Sequence, residues 1–425
     1  MKANFDSSIR KRPFRVLQLG KFYPPQRGGM ESHLKTLCDR MRLDVDVEVV
    51  VSNTGPRTAR EVCDGVPVTR IARLAQVAST PVNPAMAAEI RRRDADLIHL
   101  HWPNPMAASA YLMSGQTSPL VITYHCDVMK QRILSRIFAP VLRAVLRRSK
   151  AIVVSSKHYL DTSSVLHEYR DRCRVVPFGI SEQYFARPDE RAVGDIRSQY
   201  GERLVLSVGR LVDYKGFEYL IQAMAGAPGR LLIAGEGPLK GELVALARSL
   251  GIADRVIFLG EPSDELLRNL YHATDVFALA STNRSEAFGL VQAEAMAASK
   301  PVINTNVDSG VPFVSLDHVT GLTVPHSDVG SLAGAITRLM EDAPLRSMLG
   351  RAARRRAEAM FQSGTMAAGT LRVYQSVLRA GRFQVDEELL SAVKGKRMDS
   401  LSSAPRTNST SQPKEELSAK DRRLA

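Results

Sequence analysis

Glu286 and Glu294 stand eight positions apart in Ser285-Glu-Ala-Phe-Gly-Leu-Val-Gln-Ala-Glu-Ala-Met-Ala297. The run opens with small residues and continues as an Ala-, Leu- and Met-rich stretch that reads as a helix. Eight residues make about 2.2 helical turns, which turns both carboxylates to one side. Between them falls the expected helix start, where the backbone N–H groups of Ala287, Phe288, Gly289 and Leu290 lack intrahelical acceptors and can hold an anion. An anion cradle with a carboxylate at each end suits a ligand with a diphosphate in its middle and hydroxyls at both ends. A nucleotide-sugar has that layout.

Other loops carry residues of matching chemistry. Arg210 and Lys215 follow an expected strand in Gly209-Arg-Leu-Val-Asp-Tyr-Lys-Gly216. Two cations there can neutralise the charge that builds on a departing diphosphate, or they are ordinary surface charge. Gly28 and Gly29 precede an expected helix, where a missing Cβ lets the backbone approach a phosphate, or simply allows a tight turn. His125, at the C-terminal edge of another expected strand and followed by Asp127, is read as pointing into a cleft; a structural histidine is the competing reading. His99 and His101 share one face of a strand, but no carboxylate group partners them there, so no metal site is expected. Neither a GxxxxGK[ST] phosphate loop nor a GxGxxG dinucleotide fingerprint occurs.

The elements that must position these residues are read from short apolar runs alternating with helical patterns. That alternation predicts parallel sheets with crossover helices, an α/β architecture. The expected strands are 14–20, 45–51, 66–71, 96–101, 120–124, 151–155 and 174–176, then 204–209, 230–234, 256–259, 276–279, 301–304 and 321–324. Expected helices include 216–226, 238–250, 289–298 and 330–357. A length of 425 residues argues for two domains. The pattern switches near Val176-Pro-Phe-Gly-Ile-Ser181, giving a first domain over 1–182 and a second over 183–382, with a polar, disordered tail over 383–425. In open parallel sheets ligands sit beyond the C-terminal ends of the strands, so two facing sheets place a substrate cleft between the domains.

Four scattered cysteines without a Cys-x-x-Cys pair argue against a disulfide framework and for a reducing cytosol. The first twelve residues lack the apolar centre of a secretory signal, and no run of about 18 apolar residues suggests a membrane span. Charge is uneven: residues 1–182 carry 28 Lys and Arg against 16 Asp and Glu, a net of +12 out of the chain's +14. With 6% aromatic residues and no basic strand interleaved with stacking rings, nucleic acid is not expected as a partner. An anionic lipid surface or a phosphorylated acceptor fits better. Within this half, residues 129–150 place apolar pairs on a four-residue beat with Arg132, Arg136, Arg143, Arg147 and Arg148 between them. Such a helix buries its stripe in the domain or lies on anionic headgroups.

Taken together, Gly28-Gly-Met-Glu31, His125-Cys-Asp127, Val176-Pro-Phe-Gly-Ile180, Gly209–Gly216 and the Glu286/Glu294 pair resemble the retaining nucleotide-sugar glycosyltransferases of the family-4 class. The resemblance runs from about Arg15 to Tyr374 and implies the GT-B fold, two facing Rossmann-like domains. It implies that Gly28 and Gly29 approach the donor diphosphate, that His125 lies near the transferred sugar, and that Arg210 and Lys215 bind phosphate. Glu286 is implied to contact sugar hydroxyls, with the amides of Ala287, Phe288, Gly289 and Leu290 on phosphate and sugar, and Glu294 to hold the ribose. It further implies a metal-independent retaining transfer with a nucleotide-sugar as co-substrate and no other cofactor. Thr123–Lys130 and Asn304–Ser315 are most similar to bacterial mannosyltransferases of surface-polysaccharide assembly. This implies GDP-mannose as donor, a lipid-linked oligosaccharide as acceptor, and a cytoplasmic protein docked on the inner face of the membrane. Two departures stand out: Ser281-Thr-Asn-Arg284 before Glu286, and Ala298-Ser-Lys300 after the second glutamate. A nucleotide-sugar epimerase or hydrolase, or a non-catalytic scaffold, are the competing readings.

Overall fold

The computed structural model describes residues 14–77, 80–127 and 132–380. The expected tail over 383–425 and the start of the 129–150 segment lie outside the described residues.

Two separate parallel sheets organise the chain. The first holds β1 (Arg15–Leu19), β2 (Asp46–Ser52), β3 (Ala59–Cys63) and β4 (Val66–Ile71). A small hairpin, β5 (Ala75–Val77) with β6 (Thr80–Val82), stands apart, and the sheet resumes with β7 (Leu97–Trp102), β8 (Leu120–Tyr124), β9 (Ser149–Val154) and β10 (Cys173–Val175). The second sheet holds β11 (Leu204–Val208), β12 (Arg230–Ala234), β13 (Val256–Gly260), β14 (Val276–Leu279), β15 (Val302–Thr305) and β16 (Gly321–Val324). Its spatial order is β13-β12-β11-β14-β15-β16, and that of the first is β10-β9-β8-β7-β1-β2-β4-β3. Leaving out the antiparallel edge strand β3, both follow the doubly wound order in which the chain winds outward, returns to the centre and winds the other way. The points of reversal are β1/β7 and β11/β14.

The residues explain the burial. In β11, Leu204, Leu206 and Val208 enter one apolar layer and Val205 the layer on the opposite face, the period of two that a sheet covered on both sides requires. In the first sheet, Leu17, Leu19, Ile98, Leu100, Leu120 and Ile122 fill one apolar layer. Among the alternate positions, on the other face, four central ones are polar, Gln18, His99, His101 and Thr123, each at most 1% exposed.

Three expectations need correction. The stretch 330–357 is two helices, Val329–Glu341 and Ala343–Met360, because Asp342 caps the second by accepting from the Leu345 amide and Pro344 sits in its first turn. The basic helix ends at Arg148, and Lys150 already lies in β9. Strand β3 and the β5–β6 hairpin were not expected; β3 is an exposed, charged edge strand whose Glu61 pairs with Arg70 of β4, so no apolar run announces it. One connection also crosses the linear division of the chain. Helix Ser363–Ala380 returns to the first sheet, where it packs on helix Gly29–Met41 and the Tyr374 hydroxyl reaches Gln18 of β1.

Candidate active site

Strand order brings the two strongest candidates together. Lys215 follows β11 and Glu286 follows β14, the strands that flank the second sheet's reversal point. Lys215 Nζ lies 2.5 Å from Glu286 Oε2, and both side chains are 11% exposed. Ser281 Oγ is 3.4 Å from the same carboxylate oxygen. Gly216, at φ 66°, makes this approach possible: a Cβ there would fall 2.0 Å from the Ala280 carbonyl oxygen, which only glycine avoids. Burial alone would lower the Lys215 ammonium, but Glu286, with Tyr214 and Glu294 nearby, holds it above its ordinary value.

Helix Leu290–Ala297 starts beside this pair. Its N-cap is Gly289 in the left-handed region, φ 72°, without a side-chain cap, so its first amides have no side-chain acceptor. Phe288 turns its ring into the core between Phe178, Phe313 and Phe361, leaving its backbone, not its side chain, for a ligand. The Ala287 carbonyl accepts from the Gly310 amide at 2.7 Å and fixes the turn. Glu294, one helical face further on, accepts from the Tyr271 hydroxyl at 2.7 Å. Burial pushes its carboxyl up to about 7, against the Tyr271 bond, which favours the ionised form. Arg210 is exposed on the rim and makes no ion pair among the described residues.

The first half contributes the opposite wall. Gly28 is the N-cap of helix Gly29–Met41, and a Cβ on Gly29 would meet nothing within 4 Å, so space lies open in front of that turn. Lys21, in the loop after β1, is pushed below its ordinary pKa by burial, while Glu31 partly offsets this and Arg210 across the cleft adds to it. His125 follows β8, is 5% exposed, and bonds His101 Nδ1 through its Nε2 at 3.1 Å. His33 packs edge-on to it at 4.8 Å and against Phe178 at 4.2 Å, with both ring nitrogens buried and unpartnered. One ring nitrogen from each of His33, His101 and His125 lies within 4.8 Å of the other two, a grouping that sequence spacing concealed.

Asp127 does not point freely into the cleft. It accepts from Tyr124 Oη at 2.7 Å and pairs with Arg284 of the second half at 2.9 Å, while Arg284 donates to the Thr162 carbonyl at 2.7 Å and stacks over Tyr159. Arg27 makes a second tie, to the Pro262 carbonyl and Asp264. The halves are thus clasped on both sides of the site. Arg284 belongs to the Ser281–Arg284 insertion that had stood out as a departure.

Comparison with known proteins fits this geometry. Residues 27–184 match glycosyltransferase family 4, and residues 189–356 match glycosyl transferases group 1. D-rhamnosyltransferase WbpZ of Pseudomonas aeruginosa is 31% identical over 351 residues, 82% of this chain and 92% of that protein. The chain is a family-4 glycosyltransferase. The O-antigen chain mannosyltransferase C of Escherichia coli is 29% identical over 370 residues, covering 86% of the transferase described here and 99% of its relative. Among solved structures, sucrose-phosphate synthase from Thermosynechococcus elongatus superposes with a TM-score of 0.72 at 24% identity, covering 86% of this chain and 100% of that one. WaaG, a glycosyltransferase of lipopolysaccharide biosynthesis, gives 0.66 at 18% identity, covering 84% and 99%. The transferase therefore has the expected GT-B architecture and is similar to a D-rhamnosyltransferase and to an O-antigen chain mannosyltransferase.

Proposed function

We propose that this transferase moves a mannose from GDP-mannose to a lipid-linked saccharide in surface-polysaccharide assembly, retaining the anomeric configuration without a metal ion. The observation that carries the reading is the Lys215–Glu286 pair beside the uncapped start of helix Leu290–Ala297. A donor diphosphate takes Lys215, Arg210 and the amides of residues 287–290, and the loop at Gly28 and Gly29 closes over it. Glu286, released from Lys215, accepts sugar hydroxyls, and Glu294 accepts those of the ribose. His125 lies on the sugar side. As the glycosidic bond breaks, negative charge grows on the departing diphosphate, and prepositioned cations and amides stabilise it without reorganising. The clasped halves keep water from the donor.

A mannose donor agrees with the relatives named above, a D-rhamnosyltransferase and a mannosyltransferase. The test is a donor screen with membrane extract as acceptor source, GDP-mannose and GDP-D-rhamnose against UDP- and dTDP-sugars. Nucleoside-diphosphate release and the product's anomeric signal are read with and without EDTA. Release from UDP-sugars alone, an inverted product or loss of activity with EDTA refutes the corresponding part.

The membrane side of the proposal rests on helix Arg132–Arg148. Val145 and Leu146 are buried, while Ile137 is 62% exposed and Arg143, Arg147 and Arg148 face outward, so the stripe sinks into the domain only toward its end. Among the described residues no helix is long and apolar enough to cross a membrane. Peripheral docking predicts sedimentation with anionic vesicles that weakens with salt and with Ile137→Glu. Vesicle binding indifferent to both refutes it.

A further inference from the structure

The polar face of the first sheet is buried, so each of its groups must find a partner, and the partners form one continuous ladder. Gln18 Nε2 donates to Tyr374 Oη at 3.0 Å, which leaves the tyrosine's own proton for His99 Nδ1 at 2.5 Å. A neutral imidazole carries one N–H, so that of His99 is on Nε2, facing Thr123 Oγ1 at 2.7 Å. At its other end the Gln18 carbonyl, Oε1, lies 2.9 Å from His101 Nε2 and takes that N–H. His101 Nδ1 is then bare and accepts from His125 Nε2 at 3.1 Å. Burial holds these imidazoles neutral, pushing His99 down to about 3 and His101 and His125 well below their ordinary value.

We propose that Tyr374, Gln18 and His101 are positioning residues that fix His125 as its Nε2–H tautomer, so that its Nδ1 presents a lone pair to a hydroxyl of the transferred sugar. The sugar contact rests on the proposed function; the ladder does not. Its polarity is all-or-none. Turning the Gln18 amide over reverses every bond and ends with an N–H on His125 Nδ1, whereas a mixed ladder sets lone pair against lone pair, sets N–H against N–H, or leaves the buried Tyr374 proton without an acceptor. The amide orientation in this structure, with nitrogen toward Tyr374, selects the acceptor state. The ring nitrogen that a neighbouring bond occupies decides what the other one can do. The same bond accounts for the approach of His101 to His125 and leaves no lone pair on His125 Nε2 for a cation. Helix Ser363–Ala380 thus crosses back to the first sheet carrying the hydroxyl that orients a residue of the site.

The test is nitrogen NMR of the full chain labelled at histidine, read for the protonation of each ring nitrogen, in the parent, Tyr374→Phe and Thr123→Val. The parent is expected to show His125 bare at Nδ1, and both variants a mixture of tautomers, because Tyr374→Phe leaves the Gln18 Nε2–H without an acceptor and Thr123→Val leaves the His99 Nε2–H without one, which removes the preference for the present direction. With GDP-mannose and membrane extract, kcat is expected to fall about tenfold in either variant with donor KM within roughly twofold, the loss of about one hydrogen bond in the transition state. An N–H on His125 Nδ1 in the parent overturns the proposal, as do variants that keep both tautomer and kcat, or a shift of the His101 and His125 signals on adding Zn²⁺. Should Tyr374→Phe fail to fold, Thr123→Val reads the same ladder from its other end. Absence of any GDP-mannose turnover in the parent would count against the donor assignment, while the tautomer still decides the ladder.

Discussion

Replacing Glu286 by Gln is expected to weaken sugar transfer and yet tighten binding of the bare nucleoside diphosphate. Lys215 is committed to Glu286 at 2.5 Å, with both side chains 11% exposed. A diphosphate that claims Lys215 has to draw it from that carboxylate. Coupling between two contacting, buried charges runs to about 1–3 kcal/mol once desolvation is set against attraction. Glu286→Gln removes the charge, keeps the shape, and leaves Lys215 free for phosphate, so the diphosphate gains a part of that coupling. Each 1.4 kcal/mol is about tenfold in affinity, which puts the expected tightening on the order of tenfold. Turnover falls in the same variant because an amide cannot accept the sugar hydroxyls as a carboxylate does. Titration calorimetry with GDP on the parent, Glu286→Gln, Lys215→Met and the double variant closes the cycle. Lys215→Met is expected to lose affinity in both backgrounds. If Glu286→Gln binds GDP no better than the parent, or if the two changes add, the pair does not compete with the diphosphate and the roles given to both residues fail.

The other predictions follow from neighbouring groups. Glu294, raised to about 7, must ionise to accept the ribose hydroxyls, so GDP affinity should fall up to about tenfold per pH unit below 7, with a proton released on binding; Glu294→Gln should bind weakly with a flat profile, and a pH-independent parent would refute the role. Arg284→Ala should cost about 2 kcal/mol in urea unfolding, less than a fully buried pair because the two side chains are 19% and 13% exposed and Asp127 keeps the Tyr124 hydroxyl, and should enlarge the radius measured by small-angle scattering. A loss under about 0.5 kcal/mol would mean that the pair does not clasp the halves. Acid should destabilise the protein early. His33, His99, His101 and His125 all have folded pKa values depressed by burial, so their contribution is complete above the unfolded value of about 6.5 and is lost as pH falls, since the unfolded chain takes up protons that the native one refuses. At about 1.4 kcal/mol per group and pH unit, with Glu294 shifted the opposite way and offsetting a part, the loss at pH 5.5 is on the order of 3–5 kcal/mol. An unchanged urea midpoint between pH 7.5 and 5.5 would show that these imidazoles are not held neutral.

What the sequence made legible is what repeats locally. Strand runs such as Leu204–Val208 and Val276–Leu279 announced themselves because a two-sided sheet needs continuous apolar residues, and Gly209 after the first of them marked its loop. Lys215 and Glu286 could each be singled out by position after a strand, but their contact could not. It depends on β14 pairing with β11 rather than with its predecessor β13, a choice made by the winding of the sheet and not by any local pattern. His33 was passed over, and His101 was weighed only together with His99, for a related reason. One lies on a helix face and the other in mid-strand, where spacing resembles that of structural residues, and only tertiary packing sets their rings beside His125.

The Ser281–Arg284 segment shows how a local irregularity acquires meaning from the fold. Before Glu286, two additional polar residues look like a defect in an otherwise clear pattern. In the folded chain they carry Arg284 across the junction to Asp127, two residues beyond His125. A single guanidinium therefore ties the loop that presents Glu286 to the loop that presents His125, and any motion that opens the cleft must break it. Asp127 in turn is held by Tyr124 and by the Tyr159 hydroxyl at its amide, over which Arg284 also stacks. Positioning of the sugar-side residues and closure of the halves are thus one mechanical event: the contacts that set His125 and Glu286 opposite each other form only when the two sheets meet.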